Sequence, residues 1–259
     1  IVGGFEKVFE ICKDFRNEGI DRQHNPEFSM MEFYWAYADY EDLMNLTEKL
    51  VSTLVQKVHN SFEFEFEGTK LNFQTPFKRM TFVDLVLEHS GIDLNICDTE
   101  EKLQKEINEK KIKLNMEGVV GYGMLCDTLY KEVARPKVVG PLFLTDYPTH
   151  MKPLAKRKSE DKNKSASFQL LCMGDELVNA YNELNDPIDH RERWEEEMRL
   201  AGEGVKEYQV IDEDYIRALE YGMPPTAGWG MGIDRFVSIL TNQHSLKDVI
   251  LFPTLRPEV

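Results

Sequence analysis

The order of patterns along the chain predicts an α+β protein, an antiparallel β-sheet flanked by helices. Strand-like runs come in pairs around polar turns, and stretches of helical spacing separate the pairs. No regular β–α–β alternation and no internal repeat occurs, which sets the chain apart from a Rossmann-type parallel sheet.

The 259 residues are 42 % hydrophobic and 30 % charged, enough apolar material for the core of one large domain, or of one domain carrying an insertion. No apolar run approaches the ~20 residues that cross a bilayer, so no membrane association is expected. The opening Ile1-Val2-Gly3-Gly4 has no basic-then-apolar signal pattern and reads as the interior of a longer protein. A net charge of -15 excludes broad non-specific binding of nucleic acid, which needs a basic footprint, but is compatible with a local basic groove. Cys12, Cys97, Cys126 and Cys172 form no C-x-x-C pair. They read as free thiols in a reducing cytoplasm rather than as a zinc site or a disulfide framework.

Val8 to Phe15 alternates around Phe9, Ile11 and Phe15 and predicts a strand; a polar stretch from Arg16 to Glu27 leads to a second extended run, Phe28 to Ala38. Leu43, Leu46, Leu50, Leu54 and Val58 recur at helical spacing between Tyr40 and Val58. Phe62, Phe64 and Phe66 alternate with glutamates, and Gly68 turns the chain towards Leu71 and Phe73, a hairpin. Thr81 is placed as an N-cap and Gly91 as the stop of a helix between them. Asp98 to Lys113 reads as a helix with a solvated face, and Met124 to Ala134 as another ended by Pro136. Together residues 92–139 predict a helical insertion. Leu142 to Thr145 is a short buried strand, and the lysine-rich 151–167 reads as a mobile loop. Strands return at Phe168 to Cys172 and Leu177 to Tyr181. Helices follow at Asp186 to Leu200, with Pro187 in first position, and at Asp212 to Tyr221. Gly228 to Ile233 is a glycine-alternating strand running into a helix from Asp234.

Three stretches hold residues that core packing does not explain. In the first, Arg16 at a strand end, His24 in the loop and Phe28 on the returning strand suit a nucleoside triphosphate. A guanidinium holds a phosphate through paired bonds, and an aromatic ring stacks on a base, worth about 1–3 kcal/mol. Alone, the same residues also fit an ordinary polar hairpin loop. In the second, Asp175 to Asp186, an extended chain puts Asn179, Tyr181 and Glu183 on one face and Glu176 on the other unless a bend intervenes. An exposed edge strand is the alternative. In the third, Gly228, Gly230 and Gly232 leave one strand face bare for a flat ligand, with Arg235 beginning a helix; a plain glycine-rich turn fits such regular alternation less well.

Taken together the stretches resemble the class II aminoacyl-tRNA synthetases: Phe15 to Gly19 with Phe28 is similar to their second signature motif, and Gly228 to Arg235 to their third. His24-Asn25-Pro26-Glu27-Phe28, Met30-Met31-Glu32, Asn179 to Asp186 and Pro224-Pro225-Thr226-Ala227-Gly228 resemble the lysyl branch in particular. The resemblance covers nearly the whole chain, most weakly 92–139, and makes 1–259 a partial catalytic domain that starts after the family's first motif and without the amino-terminal OB-fold.

The resemblance implies ATP and magnesium as reactants, L-lysine and tRNA(Lys) as partners, and a homodimer for the full-length protein. It implies that Arg16 binds the α-phosphate and the lysine carboxylate and that Glu18 lies at the adenine edge. His24 approaches the terminal phosphates, and Phe28 stacks on adenine. Arg235, after Gly232, covers the other adenine face and reaches the γ-phosphate, which makes Arg16 and Arg235 the catalytic pair. Glu176 holds the metal, Asn179 contacts the amino acid, and Glu32, Tyr34 and Glu183 receive the lysine side chain. These roles are chemically coherent: attack of a carboxylate on the α-phosphate needs positioning and charge neutralisation, and a buried ammonium needs partners. One departure is Gln169, where the family has a metal-binding glutamate. Two rivals follow: a paralogue without the OB-fold that lysylates a translation factor, and a non-catalytic fragment.

Overall fold

A computed structural model describes residues 1–17, 19–202 and 210–255. The chain begins with an antiparallel pair, β1 (Lys7–Phe15) and β2 (Glu27–Ala36). Helix α1 (Tyr40–His59) opens on a capping box at Asp39 and ends at Asn60 in the left-handed conformation. A separate hairpin, β3 (Glu63–Phe66) and β4 (Thr69–Asn72), leads to β5 (Lys78–Thr81) and α2 (Phe82–Ser90), which Thr81 caps and Gly91 stops. Next come α3 (Glu100–Glu109) and α4 (Gly121–Leu129); α4 runs on into a π-helical turn, Tyr130–Ala134, and a 3-10 turn, Arg135–Lys137. β6 (Leu142–Thr145), β7 (Ser167–Cys172) and β8 (Asp175–Asn182) precede α5 (Pro187–Gly202) and α6 (Glu213–Glu220). β9 (Thr226–Gly232) feeds directly into α7 (Ile233–Leu240).

Seven strands form one sheet in the order β1-β2-β9-β8-β7-β6-β5. The expected antiparallel pairing holds from β1 to β6, but β5, which no alternation in the sequence announced, adds to β6 in parallel. The register sorts the side chains. Met31, Phe33, Ala180, Trp229, Met231, Phe168 and Phe143 point to one face, where α1 and α7 pack. The opposite face is covered at its β5–β7 end, where Leu142, Leu144 and Leu171 join apolar side chains of 82–138 in a second core. At its β1, β2, β9 and β8 end that face is open, and the candidate site lies there.

Two expectations need correction. The buried stripe of α1 is Leu43, Met44, Thr47, Val51 and Val55, whereas Leu46 and Val58 are exposed. Counting leucines rotated the predicted face away from the β-branched residues. Thr47 is buried because its hydroxyl donates to the Leu43 carbonyl (2.6 Å) and accepts the Trp229 indole N–H (2.8 Å). Nor is 151–167 a loose loop. Ala155 bridges to Glu183 and Arg157 to Ser165, and the Arg193 guanidinium donates to the Pro153 and Ala155 carbonyls. Lys158 pairs with Asp146. The lysines give this segment a solvated composition, while its small residues Ala155, Ser165 and Ala166 are buried. Among the described residues, no helix is long and apolar enough to cross a membrane.

Candidate active site

Four strands build the floor of the site. Glu32, Gly230, Asn179 and Gln169 are cross-strand partners in one row; Tyr34, Gly228, Tyr181 and Ser167 form the next. A cavity of about 500 Å³ opens above them. Arg16, His24, Phe28, Glu32, Tyr34, Glu176, Asn179, Glu183, Gly232 and Arg235 all line it. Every site residue named from the sequence is therefore in one place, except Glu18, which lies outside the described residues.

Glu176 reaches this face through a β-bulge. Leu171 pairs with Glu176 but Leu170 pairs with Val178, so Leu177 is an extra residue in β8. The added residue reverses the alternation and puts Glu176 on the side of Asn179. The open bend in the sequence reading is thus this bulge.

One end of the cavity is a carboxylate pocket. A Cβ on Gly230 would stand 3.5 Å from Glu32 Oε1, and one on Gly228 would collide with the Glu183 carboxylate, so the bare strand leaves room for both acids. Burial, and next the charge of Glu32, pushes the Glu183 carboxyl up to about 8. Burial and then Asp14 raise Glu32, with Arg16 opposing. Burial and then Glu183 lift the Tyr34 phenol to about 12. Two carboxylates and a phenol gathered in a partly dry pocket call for a cation.

The other end is basic and aromatic. The Arg16 guanidinium lies 5.2 Å from the centre of the Phe28 ring. His24 Nδ1 is paired with Asp21 at 2.8 Å. Arg235 is fixed by donating to the Glu176 carbonyl (2.6 Å), and the next residue back, Asp234, accepts the Ser29 N–H (2.6 Å), tying the start of α7 to β2.

A match to the family model described as tRNA synthetases class II (D, K and N) spans residues 1–256. The chain belongs to this family of class II tRNA synthetases. It is 46 % identical over 258 residues to a lysine–tRNA ligase of Clostridium acetobutylicum, covering 99 % of this chain and 50 % of that protein. It is 44 % identical over 257 residues to those of Pelotomaculum thermopropionicum and Campylobacter jejuni, in each case covering 99 % of this chain and 51 % of the relative. The chain spans about half the length of the curated relatives it matches.

Some cavity features of this synthetase chain were not legible from its sequence. Gln169 sits in a buried chain of hydrogen bonds: its amide nitrogen donates to Glu176, and its carbonyl accepts from the Tyr147 hydroxyl. Lys152, from the segment read as a loop, donates to Asn179 Oδ1 (3.1 Å) and lies over the Tyr147 ring at 4.7 Å. Burial lowers its ammonium below the usual range. Lys131 and Arg135 enter the cavity wall from the end of 92–139, which the sequence marks only as a helical insertion. Asp175 also lines the cavity; burial raises its carboxyl against the pull of Arg235 and Arg22.

Proposed function

We propose that the protein activates L-lysine with ATP and passes it to tRNA(Lys). The observation that carries this reading is the Glu32, Tyr34 and Glu183 pocket opening into the same cavity as Arg16, Phe28, His24 and Arg235. An amino acid whose side-chain ammonium lies between the two glutamates has its carboxylate towards Arg16 and Asn179. A carboxylate oxygen bonds to the α-phosphorus as the bond from that phosphorus to the bridging oxygen of the β-phosphate breaks. Pyrophosphate leaves, and lysyl-adenylate remains; a tRNA hydroxyl then bonds to its carbonyl carbon as the bond from that carbon to the phosphate oxygen breaks, and AMP leaves.

In this reading Phe28 and Arg235 sandwich the adenine, Glu18 meets its edge, and Gly232 leaves space beside it. Arg16 neutralises the α-phosphate and aligns the attacking carboxylate. His24 and Arg235 hold the terminal phosphates. These groups work by position and charge, with no covalent nucleophile. Magnesium fits on one condition. Among the described residues no three His, Cys, Asp or Glu side chains gather to hold a metal. Glu176, a single hard carboxylate, suits an ion shared with phosphate oxygens. Such an ion supplies charge neutralisation on the triphosphate. The region 92–139 is then an insertion in the catalytic domain.

Free thiols support a cytoplasmic setting. A homodimer is supported by Phe9 and Ile11 on edge strand β1, which continue the core face beyond α1 and α7 and are 72 % and 63 % exposed. Sedimentation equilibrium of the full-length protein tests it, a monomer at micromolar concentration opposing it. For the function itself, the test is amino-acid-dependent exchange of pyrophosphate into ATP by the full-length protein. Lysine should support exchange, and aspartate and asparagine should not. Exchange with aspartate equal to that with lysine would remove the reading.

A further inference from the structure

Building on the ATP reading, we infer that Arg135 and Lys131 form a second phosphate-binding wall, which takes the β- and γ-phosphates and the departing pyrophosphate. Three features of the fold lead there. The helices of 82–138 cover the site-side face of β5–β7 and stop where the cavity opens, so the last turns of this segment become its wall. The α-helix changes to a π-helical turn at Tyr130–Ala134 just there. Such turns recur at functional sites, and Lys131 within it and Arg135 just after it, four residues apart, both line the cavity.

Arg135 has the electrostatics of a residue waiting for an anion. It is half-buried, it makes no ion pair among the described residues, and its Nε–H is buried without a hydrogen-bond partner. A buried N–H without an acceptor is costly, and the nearby charge of Asp175 does not supply one; a phosphate oxygen bound by the guanidinium relieves that cost. Lys131 differs: it is half-exposed and holds Asp127 at 2.7 Å, a contact that an arriving phosphate can share or replace. The wall is also rigid. The Met173 and Gly174 N–H groups donate to the Val139 and Val138 carbonyls (2.9 and 2.8 Å), which locks the end of the segment to the β7–β8 turn that carries Asp175 and Glu176.

The wall also suits the charge of this cavity. Gln169 brings no charge to hold a metal, and Arg235 already donates to two carbonyls, of Glu176 and Gln23. Fixed cations on the facing wall supply neutralisation that does not depend on metal.

The experiment compares full-length wild type with Arg135→Gln, Arg135→Lys and Lys131→Gln, titrating each with ATP, AMP and inorganic pyrophosphate in magnesium-containing buffer. Arg135→Gln should weaken ATP and pyrophosphate by about tenfold or more, the loss of one charge-assisted contact, and leave AMP within about twofold. Arg135→Lys should recover most of the loss. Lys131→Gln, at an exposed position where folding is not at stake, should weaken ATP and pyrophosphate in the same selective way by a smaller factor. Equal losses for ATP and AMP, or unchanged ATP and pyrophosphate binding in both glutamine variants, would overturn the inference while leaving ATP as the substrate. Wild type that binds neither ATP nor pyrophosphate would instead bring down the ATP reading, and the inference with it.

Discussion

Gly228 leaves the space that the Glu183 carboxylate occupies: a Cβ at position 228 would run into Glu183 Oε1 and stand 3.0 Å from Tyr34 Cε1. The glycine is there for the neighbour and not for its own backbone, since 228 is not among the positive-φ glycines. Gly228→Ala should therefore fold and push Glu183 aside. A displacement on the order of 1 Å in a binding residue costs about a hundredfold. We expect lysine-dependent exchange to fall by a factor of that order, mainly through the KM for lysine, with ATP affinity within about twofold. Parallel loss of ATP binding would show that the strand, and not the pocket, had been damaged.

The Glu183 carboxyl, raised to about 8, makes lysine binding depend on pH. Near pH 7 the empty pocket holds a proton on Glu183, and an arriving ammonium favours the carboxylate and expels that proton. Lysine affinity should rise from pH 6 to about 8 and then level off. Calorimetry at pH 7 in buffers of different ionisation enthalpy should detect proton release in wild type and none in Glu183→Gln, which should also lose lysine activation far more than ATP binding. Stability runs the other way. A carboxyl whose folded value lies above its unfolded 4.5 contributes stability that is full below pH 4.5 and is lost as pH rises through 8. Melting temperatures of ligand-free wild type and Glu183→Gln should diverge from pH 5 to pH 9, with the variant gaining. Curves that stay parallel would place Glu183 in water.

Much of this is legible in the sequence. Alternating glycines identified β9 because a missing Cβ is a direct record of close approach, and Thr81 and Asp186 sit where helix ends need acceptors. What escaped depends on contacts distant in sequence. The strand β5 exists because β6 offers it an edge, not because of its own pattern. The bulge at Leu177 is visible only as a register shift against β7, and it decides on which face Glu176 points. Lys131, Arg135 and Lys152 sit among other charged residues, so nothing local separates a cation facing a cavity from one facing water.

Gln169 and Glu176 give a prediction for magnesium. The Gln169 amide now occupies one oxygen of Glu176, and its own carbonyl is engaged by Tyr147. Neither end of the glutamine is left for a metal. Gln169→Glu removes the amide donor and adds a second hard oxygen ligand beside Glu176. The magnesium concentration for half-maximal exchange should drop several-fold, an effect on the order of one added carboxylate contact. Without magnesium, the two adjacent carboxylates should repel and lower the melting temperature, and adding the ion should restore it. An unchanged magnesium requirement would place the metal away from position 169.

The carboxylate pocket also predicts an order of rejection among lysine analogues. Norleucine keeps the carbon chain of lysine but lacks the ammonium, so it leaves Glu32 and Glu183 facing each other without a cation. A site built around a polar partner rejects an analogue lacking it by about 10⁴-fold or more in kcat/KM. Ornithine keeps the charge and loses one methylene, a difference worth only about 1–3 kcal/mol, or roughly 10- to 200-fold. The two analogues should differ in pH dependence as well. Ornithine, like lysine, displaces the Glu183 proton and should be used better as pH rises from 6 to 8, whereas norleucine gains nothing from ionised glutamates and should fare worse. Exchange rates for the three amino acids across that range decide the matter. If norleucine is used as well as ornithine, or if its use rises with pH, the ammonium does not bind between Glu32 and Glu183.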